Sequence, residues 1–372
     1  MKFLVITNAP TLTQNGQLCA YAPYVIEMDV WTKYVKEFKV VSPNQYAQEL
    51  LTLPFKKQPE LVAISSLQFS TVNQFLLSLL KIPMVLFKLY KAMLWADHIH
   101  LRCPGNIGLL GCVVQLFFPK KPKTAKYAGN WDPGAQQPLS YRIQKWLLSN
   151  TTLTKNMQVL VYGDWPNKTK NIKPFFTATY GKDEIETRTI RDYIIVLKFV
   201  FVGSLVKGKR PLLAIQIVEE LHKQGKSVSL ELFGDGPLRP ALEQYIHENN
   251  LGAFVIVNGN QTKAVVKQAL KEAHFSILPS KSEGWPKAIA EAMFFGAIPI
   301  VTKISCVPYM LDYGKRGLLI EPKLEAAVAQ ISKAIENVGD LELMSEAALE
   351  WSQAYTLDVF EHEVVKLLNS EK

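Results

Sequence analysis

One segment of the chain combines residue types suited to an anion and a sugar: Ser280-Lys281-Ser282-Glu283-Gly284-Trp285-Pro286-Lys287, running on through Ala288-Ile289-Ala290 to Glu291-Ala292-Met293. It follows the apolar run Phe275-Ser276-Ile277-Leu278 and leads into a helical pattern over Ala288 to Phe295, so it forms a strand-to-helix turn. Pro286 suits the first helical position, where a missing N–H costs nothing. The N–H groups of Lys287 and the residues after it then lack helical acceptors, and with the helix dipole they make an anion site. Glu283 falls in the loop and Glu291 in the helix. A carboxylate accepts from two neighbouring hydroxyls, which is what a ribose or hexose offers. Taken singly, either glutamate reads as a solvated side chain.

Three more motifs accompany this one: Gly203-Ser204-Leu205-Val206-Lys207-Gly208-Lys209, Gly234-Asp235-Gly236-Pro237, and Gly296-Ala297-Ile298-Pro299-Ile300-Val301. Together with Pro279-Ser280-Lys281-Ser282-Glu283-Gly284 and Glu291-Ala292-Met293 they resemble, in order, the donor-site motifs of glycosyltransferase family 4. The resemblance covers about 193–325 firmly and the first half loosely. It implies a GT-B fold and sugar transfer from a UDP- or GDP-sugar with retention of anomeric configuration. It also implies that Glu283 sits by the transferred sugar, that Glu291 holds the ribose diol and that Lys209 neutralises the departing diphosphate. Backbone around Gly259-Asn260-Gln261 would meet the base. Gly203, Ser204, Arg210, Gly234, Gly284, Trp285, Pro286 and Lys287 complete the donor side. The chemistry agrees, because a diphosphate leaving as an anion needs positive charge and N–H donors where that charge grows. One departure stands out: the family carries an arginine where this chain has Ser204. Arg210 reads either as a replacement cation or as a solvated charge at a helix start.

The elements that position these residues alternate. Strand-like runs at Phe199–Val202, Val228–Phe233, Phe254–Val257, Phe275–Leu278 and Ile298–Val301 are separated by helical spacings at Pro211–Gln224, Leu238–Asn249, Thr262–Ala273 and Ala288–Phe295. The first half offers strands at Lys2–Ile6, Phe38–Val41, Leu61–Ile64, His98–Leu101, Thr124–Tyr127 and Val159–Val161, with helices at Gln74–Trp95, Ile107–Phe117 and Leu139–Leu148. This is the pattern of α/β domains with parallel, doubly wound sheets, which bind ligands at the carboxyl ends of their strands. The expected architecture is two Rossmann-like domains facing each other across a cleft. An acceptor domain takes 1–176 and a returning helix near 355–372, a donor domain takes 177–354, and 165–191 is the connector.

On the acceptor side the candidates thin out. The loop Asn8 to Gly16 follows the first strand and corresponds in place to the family's flexible acceptor loop. Arg102 closes the polar strand end Asp97-His98-Ile99-His100-Leu101-Arg102. Asn130, Trp131 and Asp132 follow another strand; Trp131 offers a flat face for a sugar, and Asp132 is a candidate base.

Composition bounds the rest. At 372 residues, 48% hydrophobic and 20% charged, disorder is excluded and two domains are expected. The start, Met1 to Asn8, reads as a buried strand rather than a signal peptide. The four cysteines, Cys19, Cys103, Cys112 and Cys306, form no C-x-x-C, which points to a reducing cytoplasm. No Asp-x-Asp occurs, so neither a metal nor another cofactor is expected. The net charge of +9 is carried by the first half, where residues 1–190 hold 22 Lys+Arg against 11 Asp+Glu. Arg-rich, aromatic-interleaved patches for nucleic acid are lacking. Lys81, Lys88 and Lys91 on the apolar stretch 75–95, with Lys120, Lys121, Lys123 and Lys126, suggest a basic, partly apolar surface for anionic lipid. The leading expectation is therefore a cytoplasmic, peripheral glycosyltransferase with a glycan or lipid-linked acceptor in cell-envelope or polysaccharide biosynthesis. A nucleotide-sugar epimerase and an inactive nucleotide-sugar-binding subunit are the alternatives.

Overall fold

Parallel-stranded sheets form the centre of both halves of the chain. The computed structural model describes residues 1–46, 51–69, 71–187 and 190–369. The chain divides into unit 1, Met1–Phe175 with the residues from Glu361 on, and unit 2, Phe176–Phe360.

Unit 1 runs β1 (Lys2–Ile6), β2 (Leu12–Gln14), β3 (Gln17–Tyr21), α1 (Ala22–Thr32), β4 (Glu37–Pro43), β5 (Thr52–Pro54), β6 (Glu60–Ile64), α2 (Val72–Trp95), β7 (His98–Cys103), α3 (Asn106–Val114), β8 (Lys123–Tyr127), α4 (Leu139–Ser149), β9 (Met157–Tyr162) and β10 (Ile172–Phe175). Its seven-stranded sheet has the order β10-β9-β8-β7-β1-β4-β6, and its neighbours pair in parallel. Order reverses between β1 and β7. Phe3, Leu4, Val5 and Ile6 are fully buried, as a central parallel strand covered on both faces must be.

Two parts of unit 1 depart from expectation. The stretch Asn8–Gly16 is not simply a loop, because β2 lies within it and pairs antiparallel with β3, which pairs with β5. Asn15 and Gly16 take φ of 49° and 76°, the left-handed pair that a two-residue hairpin turn demands. Within the expected connector, residues 172–175 form β10 on the sheet edge, where Pro174 is tolerated because its absent N–H need not join the ladder.

Unit 2 runs β11 (Leu197–Val202), α5 (Pro211–Lys223), β12 (Val228–Phe233), α6 (Arg239–Glu248), β13 (Val255–Gly259), α7 (Lys263–Glu272), β14 (Phe275–Leu278), α8 (Lys287–Phe294), β15 (Ile298–Thr302), α9 (Val307–Met310), β16 (Leu318–Ile320), α10 (Leu324–Ile335) and α11 (Val338–Gln353). All pairings are parallel in the order β13-β12-β11-β14-β15-β16, with the reversal between β11 and β14. α12 (Leu357–Asn369) begins in unit 2, where the ring of Phe360 lies 5.9 Å from that of Phe176, and the chain rejoins unit 1 at Glu361 rather than near 355. There Glu361 accepts from Lys33 at 2.7 Å and from the Tyr34 hydroxyl at 2.5 Å.

Candidate active site

In a doubly wound sheet the loops leaving the two strands at the order reversal diverge, and the gap between them receives the ligand. In unit 2 these are the loop after β11, residues 203–210, and the loop after β14, residues 279–286. They carry Lys209 and Glu283. The structure joins the two: Lys209 Nζ lies 2.6 Å from Glu283 Oε1. Glu283 is buried and Lys209 about a quarter exposed, so the pair has one face to solvent.

Backbone ties hold the two loops in register. Lys281 N–H donates to Gly208 O at 2.8 Å. Arg210, at φ 51° on the residue before α5, aims its guanidinium at the carbonyls of Pro279 and Ser280, at 3.1 and 3.3 Å. Its Nη1 is thus engaged by the loop carbonyls, and the side chain is half-buried. Thr302 Oγ1 donates to Ser280 O at 2.5 Å, and Cys306 Sγ to Gly284 O at 2.9 Å. Burial pushes the Cys306 thiol up to about 12, so it stays a neutral donor.

The floor is built from glycine. Gly234 has φ 135°, and a Cβ there would fall 2.1 Å from Gly203 O; a Cβ on Gly236 would fall 2.6 Å from Leu205 O. Gly203 N–H donates to Phe233 O and Gly234 N–H to Gly259 O, so three strand ends close on one another. The Asp235 carboxylate accepts from Gly236 N–H and Arg239, which hold its pKa below the usual range. Ser204 and Asn260 are exposed beside this floor.

Helix α8 opens one residue later than the sequence pattern suggests for proline. Pro286 caps it and Lys287 is its first residue, with Pro286 O accepting from Ile289 and Ala290 N–H. Glu291 does not touch the Lys209–Glu283 pair. Thr179 Oγ1 donates to it at 2.8 Å, and it lines a small hollow with Thr179, Tyr180, Trp285, Lys287 and Trp351. Burial raises the pKa of Glu291, opposed by Thr179 and by Lys287 and Lys263. Trp285 is buried and stacks on Trp351 at 5.9 Å, so it supports this hollow rather than lying open. Thr179, Tyr180 and Lys263 were not anticipated. Lys263 Nζ donates to Thr179 O and lies 4.7 Å over the Tyr180 ring, and its place at the start of α7, next to the Gly259-Asn260-Gln261 turn, was the available signal.

In unit 1 the candidates fare differently. Arg102 is sunk in an ion cluster: Glu27 pairs with it and, at 3.1 Å, with the fully buried Lys126. Its charge is spent inside the fold. Trp131 is buried, its face covered by Lys145 at 5.5 Å and its ring set edge-on to Tyr127. Asn130 and Asp132 serve a turn, Asn130 Oδ1 accepting from Asp132 N–H and Asp132 Oδ1 from Gly134 N–H, both at 2.8 Å. Asn8 does sit at an order reversal, after β1, within contact of Gly105 after β7. Gly16 lies at the hairpin tip. The lysine run is largely internal. Lys123 and Lys126 are buried, and Lys121 caps the carbonyls of Met93, Leu94 and Ala96 at the end of α2. Among the described residues no group of three His, Cys, Asp or Glu side chains is placed to hold a metal ion.

Residues 196–351 match the family described as "Glycosyl transferases group 1", which places the matched region within unit 2. Escherichia coli (strain K12) "Putative colanic acid biosynthesis glycosyltransferase WcaL" is 30% identical over 154 residues, covering 40% of this chain and 38% of the relative. Bacillus subtilis (strain 168) "Putative teichuronic acid biosynthesis glycosyltransferase TuaC" is 33% identical over 132 residues, covering 35% and 31%. The chain thus aligns with less than two fifths of either relative's length. Two solved structures match over the full length of both chains at 16% identity: the lipopolysaccharide outer core galactosyltransferase WaaB, with a TM-score of 0.71, and Anabaena HepE in complex with UDP and glucose, with 0.69. The fold is that of the GT-B glycosyltransferases, built from two Rossmann-like units.

Proposed function

We propose that this protein is a glycosyltransferase that moves a sugar from a UDP- or GDP-sugar to a glycan or lipid-linked acceptor in cell-envelope or polysaccharide biosynthesis. One observation carries the reading: Lys209 and Glu283 meet at 2.6 Å where the sheet order reverses. The donor's diphosphate replaces Glu283 as the partner of Lys209, and Glu283 turns to accept from hydroxyls of the sugar. As the glycosidic bond to phosphate breaks, Lys209 and the N-terminal end of α8 meet the growing negative charge. Glu291 takes the ribose diol, and Gly203, Gly234 and Gly259 let the nucleotide approach the backbone. The reaction retains configuration and proceeds without a metal ion, the diphosphate being neutralised by this chain's own groups. Acceptor contacts come from the loops after β1 and β8, around Asn8 and Asn130. The cytoplasm suits four cysteines that are all free. The names of the relatives, colanic and teichuronic acid biosynthesis, support the polysaccharide class.

A second reading, a donor-binding subunit without turnover, is favoured by Ser204 in place of arginine and by Arg210 being tied to loop carbonyls. A panel of UDP- and GDP-sugars separates the two. Under the first reading one base raises the melting temperature and its sugar is slowly hydrolysed. Stabilisation with neither hydrolysis nor transfer to any glycan acceptor supports the second, and no stabilisation by any nucleotide refutes both.

A further inference from the structure

Helix α2 carries far more apolar surface than its packing uses. Its inner face, Val85, Leu89, Ala92 and Met93, is buried against unit 1. At 100° per residue, Leu76, Leu80, Met84, Phe87 and Leu94 fall on the opposite side, and all are exposed, Leu80 by 79%. Monomeric proteins seldom leave so long an apolar strip to water. The helix is long and apolar enough to cross a bilayer. Yet its inner face belongs to the unit 1 core and the Lys88 ammonium is held by Ala63 O at 2.7 Å, so it lies on the fold as a surface helix.

The flanking charge points to one occupant. α2 contains three lysines and no acidic residue. Lys81, Lys88 and Lys91 share one flank of the strip, and Lys81 and Lys91 are exposed. The strip continues onto Phe117, 70% exposed and in ring contact with Tyr90. Three residues on, Lys120 opens a groove of about 820 Å³ along the amino ends of β8 and β9. Lys155, Lys170 and Lys173 line it with Lys120, all are exposed, and its lining holds no carboxylate.

We propose that unit 1 docks on an anionic lipid bilayer, with the α2 strip and Phe117 entering the acyl boundary and the Lys120–Lys155–Lys170–Lys173 groove receiving phosphate headgroups. Apolar burial and cationic attraction together give reversible, in-plane attachment. This surface replaces the one suggested by the internal lysine run, and it stands independently of the sugar chemistry.

The test uses the full-length protein and sedimentation with phosphatidylcholine vesicles, with and without phosphatidylglycerol. The wild-type protein pellets with the anionic vesicles and is released by salt. Leu80→Glu and, as a second variant on the same strip, Phe87→Glu each weaken binding about tenfold or more with unchanged melting temperature, because both side chains are exposed. Lys155→Glu/Lys173→Glu weakens binding to anionic vesicles about tenfold or more and leaves neutral vesicles unaffected. Wild-type protein staying in the supernatant overturns the proposal. So does undiminished pelleting of both strip variants. A self-associated protein that falls apart on Leu80→Glu without ever binding vesicles also overturns it, a second copy being then the occupant.

Discussion

Lys209 and Glu283 are 74 residues apart in the chain and 2.6 Å apart in space, and each stands on one of the two loops that leave the sheet where its order reverses. Neither loop places its side chain alone. Arg210 holds the Pro279–Ser280 carbonyls, and the Gly208 carbonyl holds Lys281, so the lysine's loop and the glutamate's loop are tied to each other. Such cross-bracing keeps charged groups at a productive spacing before substrate arrives.

Glu291 is predicted to trade stability for binding. Burial raises its pKa, so the folded protein holds this proton more tightly than the unfolded chain does. Its ionisation therefore costs stability as pH rises above the unfolded value near 4.3, and the cost is complete above the raised folded value. Glu291→Gln should melt higher than wild type at pH 7 and no differently in acid below that range. It should also bind nucleotide about 10- to 100-fold more weakly, the loss expected for charged hydrogen bonds to hydroxyls. Differential scanning across pH, with nucleotide titration at pH 7, checks both.

Gly234→Ala should damage the floor. The new Cβ would lie 2.1 Å from Gly203 O at a φ of 135°, which a side chain rarely adopts. The strain is on the order of 2 kcal/mol, which lowers the melting temperature of a unit this size by roughly 4–8 °C. The loop shift should also weaken nucleotide binding, measured in the same titration. An alanine variant with unchanged melting temperature and affinity would remove the close approach from the account.

Much of unit 2 was legible because its strands are mostly apolar and its turns are punctuated by glycine; two strands match at both ends and the other matched elements differ by no more than two residues at either end. The loop-and-helix assignment of Glu283 and Glu291 followed from local pattern. What did not follow was partnership, since no periodicity says that Arg210 turns to carbonyls, that Glu291 faces Thr179, or that Trp285 stacks on Trp351. In unit 1 the basic run misled because lysine stems pack inside while the ammonium finds carbonyls, as with Lys123 and Phe118 O at 2.7 Å. The hairpin at Asn15-Gly16 was readable, since Asn-Gly between Leu12–Gln14 and Gln17–Tyr21 is the strongest short-range hairpin signal.

Single-turnover hydrolysis of the stabilising nucleotide sugar by wild type and Lys209→Ala decides whether Lys209 meets the charge of the departing diphosphate. In the variant kcat/KM should fall by about 10²–10³, the loss typical of removing one group that meets growing charge. Turnover equal to wild type in a folded Lys209→Ala protein would contradict it.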